Sequence, residues 1–365
     1  MGDDPYLATR VRAMRARLLD PARLDALAAS PDLPALGKAL RRTPYAGVIE
    51  RAGGAEDVAA IEEGLRREFR ASVMTLRAAA SGRRRVLIDL LLLRWEAANL
   101  KAIVRGRVAG SPAEEILAGC APIGWSDEPA LAELARQPSL AAVVETVTLW
   151  RHPFARPLAA AIGSQRPLIG AVQRAAGVPD DRINLDAVER ALDRSWFDEA
   201  RRTLGPTAAY WCRSTDEDDR ALAAYFGWLI DLRNLLEAVR AHQEGERAAV
   251  AVFAEGGIDV DRTLFDRVLR AADWAAVSDL ISGTRYGSVS IVGGGGHPPV
   301  TQAERQLTSA LIRRLDGLAR PNPLGFALVI GSFERKANEV ATLRMIAQGV
   351  AYGMAPDEIR ALVAA

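Results

Sequence analysis

The chain has 365 residues, 49% of them apolar, with 47 Lys+Arg against 46 Asp+Glu and a net charge of +1. That is ample for a large buried core divided into two or three domains. The even charge balance gives no reason to expect nucleic acid or an anionic membrane as a partner.

In chain order, residues 6–30 and 31–42 carry helical periodicity, punctuated by Pro21, Pro31 and Pro34 at starts or turns. The opening MGDDPYLATR has acids where a signal peptide needs a basic and then an apolar stretch, so export is not expected. LRRTPYAGV (Leu40–Val48) follows, then a long amphipathic helix over about residues 55–80 and a basic break at Ser81–Arg85. The longest apolar run, Val86–Val104, carries Asp89, Arg94, Glu96 and Lys101, too many charges for a membrane-spanning helix. It leads into WEAANLKAIVRGRVAGSPAEEI (Trp95–Ile116). The middle of the chain has proline-punctuated pieces, a helix over 185–204, the acidic run Asp216–Asp219 and IDLRNLLEAVRA (Ile230–Ala241). After Gly256-Gly257 come ISGTRYGSV (Ile281–Val289), the loop SVSIVGGGGHPPV (288–300) and NEVATLRMIAQGVAYGMAPDEI (Asn338–Ile359). Strand signals are nearly absent, so the expected fold class is all-α.

Laid over one another without a gap, Trp95–Ile116 and Asn338–Ile359 set Glu96 on Glu339, Leu100 on Leu343, Gly106 on Gly349, Gly110 on Gly353 and Ile116 on Ile359. The middle segment sets Asp231 on Glu96, Asn234 on Asn99 and Leu235 on Leu100. A second landmark keeps register with the first: Thr43 and Tyr45 match Thr284 and Tyr286, and Leu24, Leu27 and Asp32 fall on Phe265, Val268 and Asp273. Two landmarks in register point to three related units, 1–119, 120–256 and 257–365. Each signature helix is expected to stop at a glycine and turn into a new helix, with Ser111 as N-cap and Pro112 at the first helical position.

In every unit the acid is followed by Leu at i+4 and an apolar residue at i+7, which puts it on the buried stripe. Either Glu96, Asp231 and Glu339 line an axis where the units meet, or each pairs with a buried arginine or caps a neighbouring helix. The apolar neighbours favour the second. Asp216–Asp219 could hold a divalent cation, but their place before a helix favours capping with Thr215. Arg83–Arg85 read as a solvated run between helices. Gly293–Gly296 lack the Lys-Ser or Lys-Thr of a phosphate loop, and His152, His242 and His297 have no zinc spacing. Cys120 and Cys212 stand apart, as reduced thiols of a cytosolic protein do. No catalytic constellation, metal site or cofactor is expected.

The chain resembles the C-subunit (prokaryotic) or d-subunit (eukaryotic) family of V-type and archaeal-type rotary ATPases. The resemblance rests on PYLATRVRAMRARLL, LRRTPYAGV, NLKAIVRG, LISGTRYGSV and above all NPLGFALVIGSFERKANEVATLRMIAQGVAYGMAPDEIRALV. Departures are the loop 290–300 and Thr342, where the other copies carry Asn99 and Asn234. The resemblance implies a helical funnel of three units around a pseudo-three-fold axis. It implies a non-catalytic rotor part at the inner face of the cell membrane, whose partners are the central shaft proteins and the proteolipid ring. Two other readings are a helical scaffold or adaptor with a concave surface, and a helical enzyme using Asp216–Asp219 with magnesium.

Overall fold

The computed structural model describes residues 4–51, 57–163, 183–205, 215–244, 252–287 and 300–363. The fold is all-α, and no strand occurs among the described residues. Gly293–Gly296, His297, Cys212 and Ser214 lie outside them.

The helices are α1 (Asp4–Arg15), α2 (Pro21–Ala28), α3 (Leu33–Leu40), α4 (Ala46–Arg51) and α5 (Val58–Ala79), then α6 (Gly82–Ala109), α7 (Ala113–Ala118), α8 (Glu128–Arg136), α9 (Leu140–Leu149), α10 (Ala155–Gly163) and α11 (Leu185–Leu204). The rest are α12 (Glu217–Glu244), α13 (Arg262–Leu269), α14 (Trp274–Ser282), α15 (Val300–Ala319), α16 (Phe326–Ala351) and α17 (Pro356–Val363). Two compact units result: Met1–Ala79 with Leu204–Ala365, and Ala80–Thr203.

In the first unit α16 is the centre. Most of its residues are buried, Phe326, Ile330, Phe333, Leu343 and Ile346 among them, while Ala341, Arg344 and Gln348 stay exposed on one side. Its neighbours are α1, α2, α3, α5, α12, α15 and α17. In the second unit α6 takes the central place against α7, α8 and α9. Trp196 on α11 donates its indole N–H to the Leu90 carbonyl (2.9 Å), and Lys101 meets Asp193 at 2.6 Å.

Three pairs of short helices recur: α2/α3, α8/α9 and α13/α14. Every member starts on a capping side chain that accepts from the amide three residues on: Asp20, Asp32, Asp127, Ser139, Asp261 and Asp273. Each such cap satisfies an amide that the helix leaves unpaired and defines the first turn.

Three local expectations are corrected. Arg83–Arg85 are not a break between helices; they form the first turn of α6, and Arg83 donates to the Thr203 carbonyl (3.0 Å). Ser111 makes no capping bond, because Pro112 occupies the N-cap position of α7. Gly110 at φ +70° lets the Ser111 amide reach back to the Gly106 carbonyl (2.8 Å), a left-handed closure open to glycine. Thr215 is likewise not the cap before α12: the amides of Asp218 (2.8 Å) and Asp219 (3.4 Å) donate to the Asp216 carboxylate.

Candidate functional site

The repeated acids form three junctions, each between a long helix and the start of one of the short pairs. Glu96 on α6 is fully buried. It accepts the Ser126 amide (3.0 Å), the Ser126 hydroxyl and His152 Nε2 (2.7 Å). The Phe154 amide donates to His152 Nδ1 (3.1 Å), so the proton sits on Nε2, the nitrogen that faces Glu96. Trp125 packs edge-on against this imidazole at 4.6 Å.

Asp231 on α12, also fully buried, accepts the amides of Asp259 and Val260, both at 3.0 Å, and the Tyr286 hydroxyl at 3.1 Å. Burial pushes its carboxyl up to about 6, against the opposing pull of the two amides. Burial, and next the Asp231 charge, holds the Tyr286 phenol well above its ordinary range. Arg314 reaches the Tyr286 oxygen (3.1 Å) and Asp259 (3.0 Å), and stacks 4.2 Å over the Tyr286 ring.

Glu339 on α16 accepts the Leu19 amide and the Tyr45 hydroxyl. Lys336, one turn earlier and 2% exposed, lies 3.4 Å from Glu339, 2.9 Å from the Tyr45 oxygen and 3.8 Å from Glu68. Burial pulls the Lys336 ammonium below the usual lysine range, opposed by Glu339 and Glu68.

The three junctions share one geometry. Ser126, Val260 and Leu19 each stand directly before an aspartate cap: Asp127, Asp261 and Asp20. Each acid therefore grips the chain one residue before the N-cap of a helix. The second caps follow at equal separation, Asp32, Ser139 and Asp273, and so do the aromatic donors Tyr45, His152 and Tyr286. Threonines set two of these donors: Thr43 and Thr284 donate to carbonyls of the preceding helix and accept the amides of Tyr45 (3.2 Å) and Tyr286 (3.0 Å).

A family model described as ATP synthase (C/AC39) subunit matches residues 7–362. The chain belongs to that family. It is 26% identical over 362 residues to the V-type ATP synthase C subunit of Deinococcus radiodurans, covering 99% of this chain and 91% of the relative. The V-type ATP synthase C subunit of Thermus thermophilus is 27% identical (97% of this chain, 96% of the relative). The A-type ATP synthase C subunit of Thermococcus gammatolerans is 24% identical, with 98% and 89% covered.

Within this member of the C/AC39 family, the remaining signature residues sit beside their acids. Leu100, Leu235 and Leu343 are buried. Asn99 holds both the amide and the carbonyl of Ala121 (2.7 Å each), and Asn234 does the same to Ala254 (2.8 and 2.9 Å). Thr342 has no such pair among the described residues. Among the described residues no carboxylate of the three meets a buried arginine: Glu96 accepts from an amide, a hydroxyl and an imidazole, Asp231 from two amides and a phenol, and the cation beside Glu339 is Lys336. Of the acidic run, Asp216 caps α12 and Asp218 accepts the Phe326 amide at the start of α16 (2.9 Å). Sequence reasoning missed His152 and Ser139. The equal cap-to-donor separation was the signal that could have found them.

Proposed function

We propose that this chain is a non-catalytic rotor-stalk component of a V/A-type rotary ATPase. It seats the soluble central shaft at one end, rests on the membrane proteolipid ring at the other, and passes torque between them. Membership of the ATP synthase (C/AC39) subunit family and relatives named as C subunits of V-type and A-type ATP synthases support the coarse role.

The observation that carries the finer reading is the order of the junctions. Glu96 of copy 1–119 grips Ser126 and His152 of copy 120–256. Asp231 of that copy grips Val260 and Tyr286 of copy 257–365, and Glu339 of the last returns to Leu19 and Tyr45 of the first. Head-to-tail links that come back to their start are what a closed cyclic arrangement needs, and they favour a pseudo-three-fold, funnel-like collar. The signature residues then have a structural role: they fix the angle at which each copy meets the next, and side chains packed at interior density resist twisting. None of the helices among the described residues is long and apolar enough to cross a membrane. On this reading the chain reaches the inner face of the cell membrane only through the proteolipid ring.

Pull-down of the tagged chain from native membranes tests the proposal. Shaft and proteolipid proteins should come with it and be released by chaotrope. Recovery with other partners and without these would favour a general scaffold.

A further inference from the structure

The short helices that close on the three acids do not bury the same amount of apolar surface. α8 and α9, which close on Glu96, bury three and four apolar side chains, a stripe that includes Leu131, Leu134, Val143 and Val147. α2 and α3, which close on Glu339, bury two each: Leu27, Ala28, Leu36 and Leu40. Apolar burial is what holds a short helix against its neighbours, so α2 and α3 have less to lose on leaving.

Open space flanks the polar centre of this grip on both sides. Lys336 lines a crevice of about 170 Å³ with Met14 and Arg17 of the α1 end and Glu68 of α5. Glu339 lines a cleft of about 530 Å³, with Leu19, Pro21 and Leu24 on one wall and Ile312 and Val363 on the other. An ammonium and a carboxylate regain water when their cover leaves, which offsets part of the bonds lost. The clamps that Asn99 and Asn234 place on the chain beside the other two acids have no counterpart at Thr342 among the described residues. One hydroxyl cannot engage both the N–H and the C=O of a peptide unit as an asparagine amide does. On either side of α2 and α3 in the chain, α1 and α5 pack on α16 and would stay as anchors.

We propose that α2 and α3 form a flap that lifts from α16 and α17 as one unit, drawing Leu19 and Tyr45 off Glu339 and opening Lys336 and Glu339 to water, while α8 and α9 stay closed on Glu96. Its use rests on the collar reading: one grip of the three would release first and free the angle between the last copy and the first.

Hydrogen exchange on the full chain, read by mass spectrometry, tests this. After correction for intrinsic rates, the amides of Leu24–Ala28 and Leu36–Leu40 should exchange about tenfold faster than those of Leu131–Arg136 and Val143–Leu149. Tyr45→Phe removes only the hydroxyl that reaches Glu339 and Lys336. It should speed α2 and α3 by one common factor of about five and leave α8 and α9 unchanged. Low urea should speed α2 and α3 together, because lifting exposes surface. Equal exchange of the two helix pairs in the wild type would overturn the proposal, whether or not Tyr45→Phe folds. So would unrelated rates for α2 and α3, or rates indifferent to urea, which mark the fraying of single helices. The measurement needs no partner, so its failure leaves the rotor proposal standing, and a failed pull-down leaves the flap standing.

Discussion

A buried carboxylate is tolerated only where donors replace the water it has lost. For Glu96 those donors are one amide, one hydroxyl and one imidazole. Glu96→Ala leaves all three facing a gap, and with about 1–3 kcal/mol for each orphaned buried group it should destabilise by about 3 kcal/mol or more, read by urea unfolding. Glu96→Gln keeps one acceptor and should lose less. Equal losses for the two variants would mean that the hydrogen bonds are not what holds the site. The sequence places this acid on the apolar stripe, but it does not name its partners: backbone amides have no sequence signature, and among the described residues none of the three acids pairs directly with an arginine, one of the two partners the sequence left open.

Asp231 is the same device with a titration attached. Its folded carboxyl lies near 6 against an ordinary 3.8, so between those values the native state holds a proton that the unfolded chain has released. Stability from this group is present in full below about pH 4 and is lost as pH rises through about 6. At about 1.4 kcal/mol per unit, the wild type should lose roughly 3 kcal/mol relative to Asp231→Asn across that window. Parallel stability curves for the two proteins from pH 4 to 7 would contradict this.

At the scale of elements, the repeated glycines separate into two roles. Gly110 and Gly353 have positive φ and end their helices. Gly106 and Gly349 lie inside α6 and α16, where Ile116 and Ile359 press against them; a Cβ on Gly106 would stand 2.3 Å from Ile116 Cγ1. Alanine is the better helix former by about 1 kcal/mol, yet Gly106→Ala should destabilise by about 1–3 kcal/mol through overpacking. Ile116→Ala in the same chain should remove most of that penalty. A double-mutant cycle by urea unfolding reads the coupling, and strict additivity would refute the contact.

Helix positions are legible because cap, proline and periodicity agree: the segments read at 55–80 and 185–204 fold as Val58–Ala79 and Leu185–Leu204. The middle copy of the short pair is not legible in the same way. Ser139 replaces an aspartate cap and His152 a tyrosine donor, so the chemistry persists while residue identity does not. Arg83–Arg85 mislead for a different reason: charge density marks solvent, and solvent reaches one side of a helix as readily as a turn.

For the whole molecule, if the three copies close on one another as proposed, their similar grips would let a twist applied at one copy reach the others through buried bonds rather than through a flexible link. The family is legible from the long C-terminal stretch, where the packing of α16 against seven other helices leaves little freedom to vary. The most direct measurement compares membrane vesicles that carry the parent ATPase with and without this chain, reading ATP hydrolysis and ATP-driven ion uptake together. Without the chain, hydrolysis by the soluble head should persist while uptake is lost, and adding the chain back should restore uptake. Undiminished uptake in its absence would contradict a coupling role.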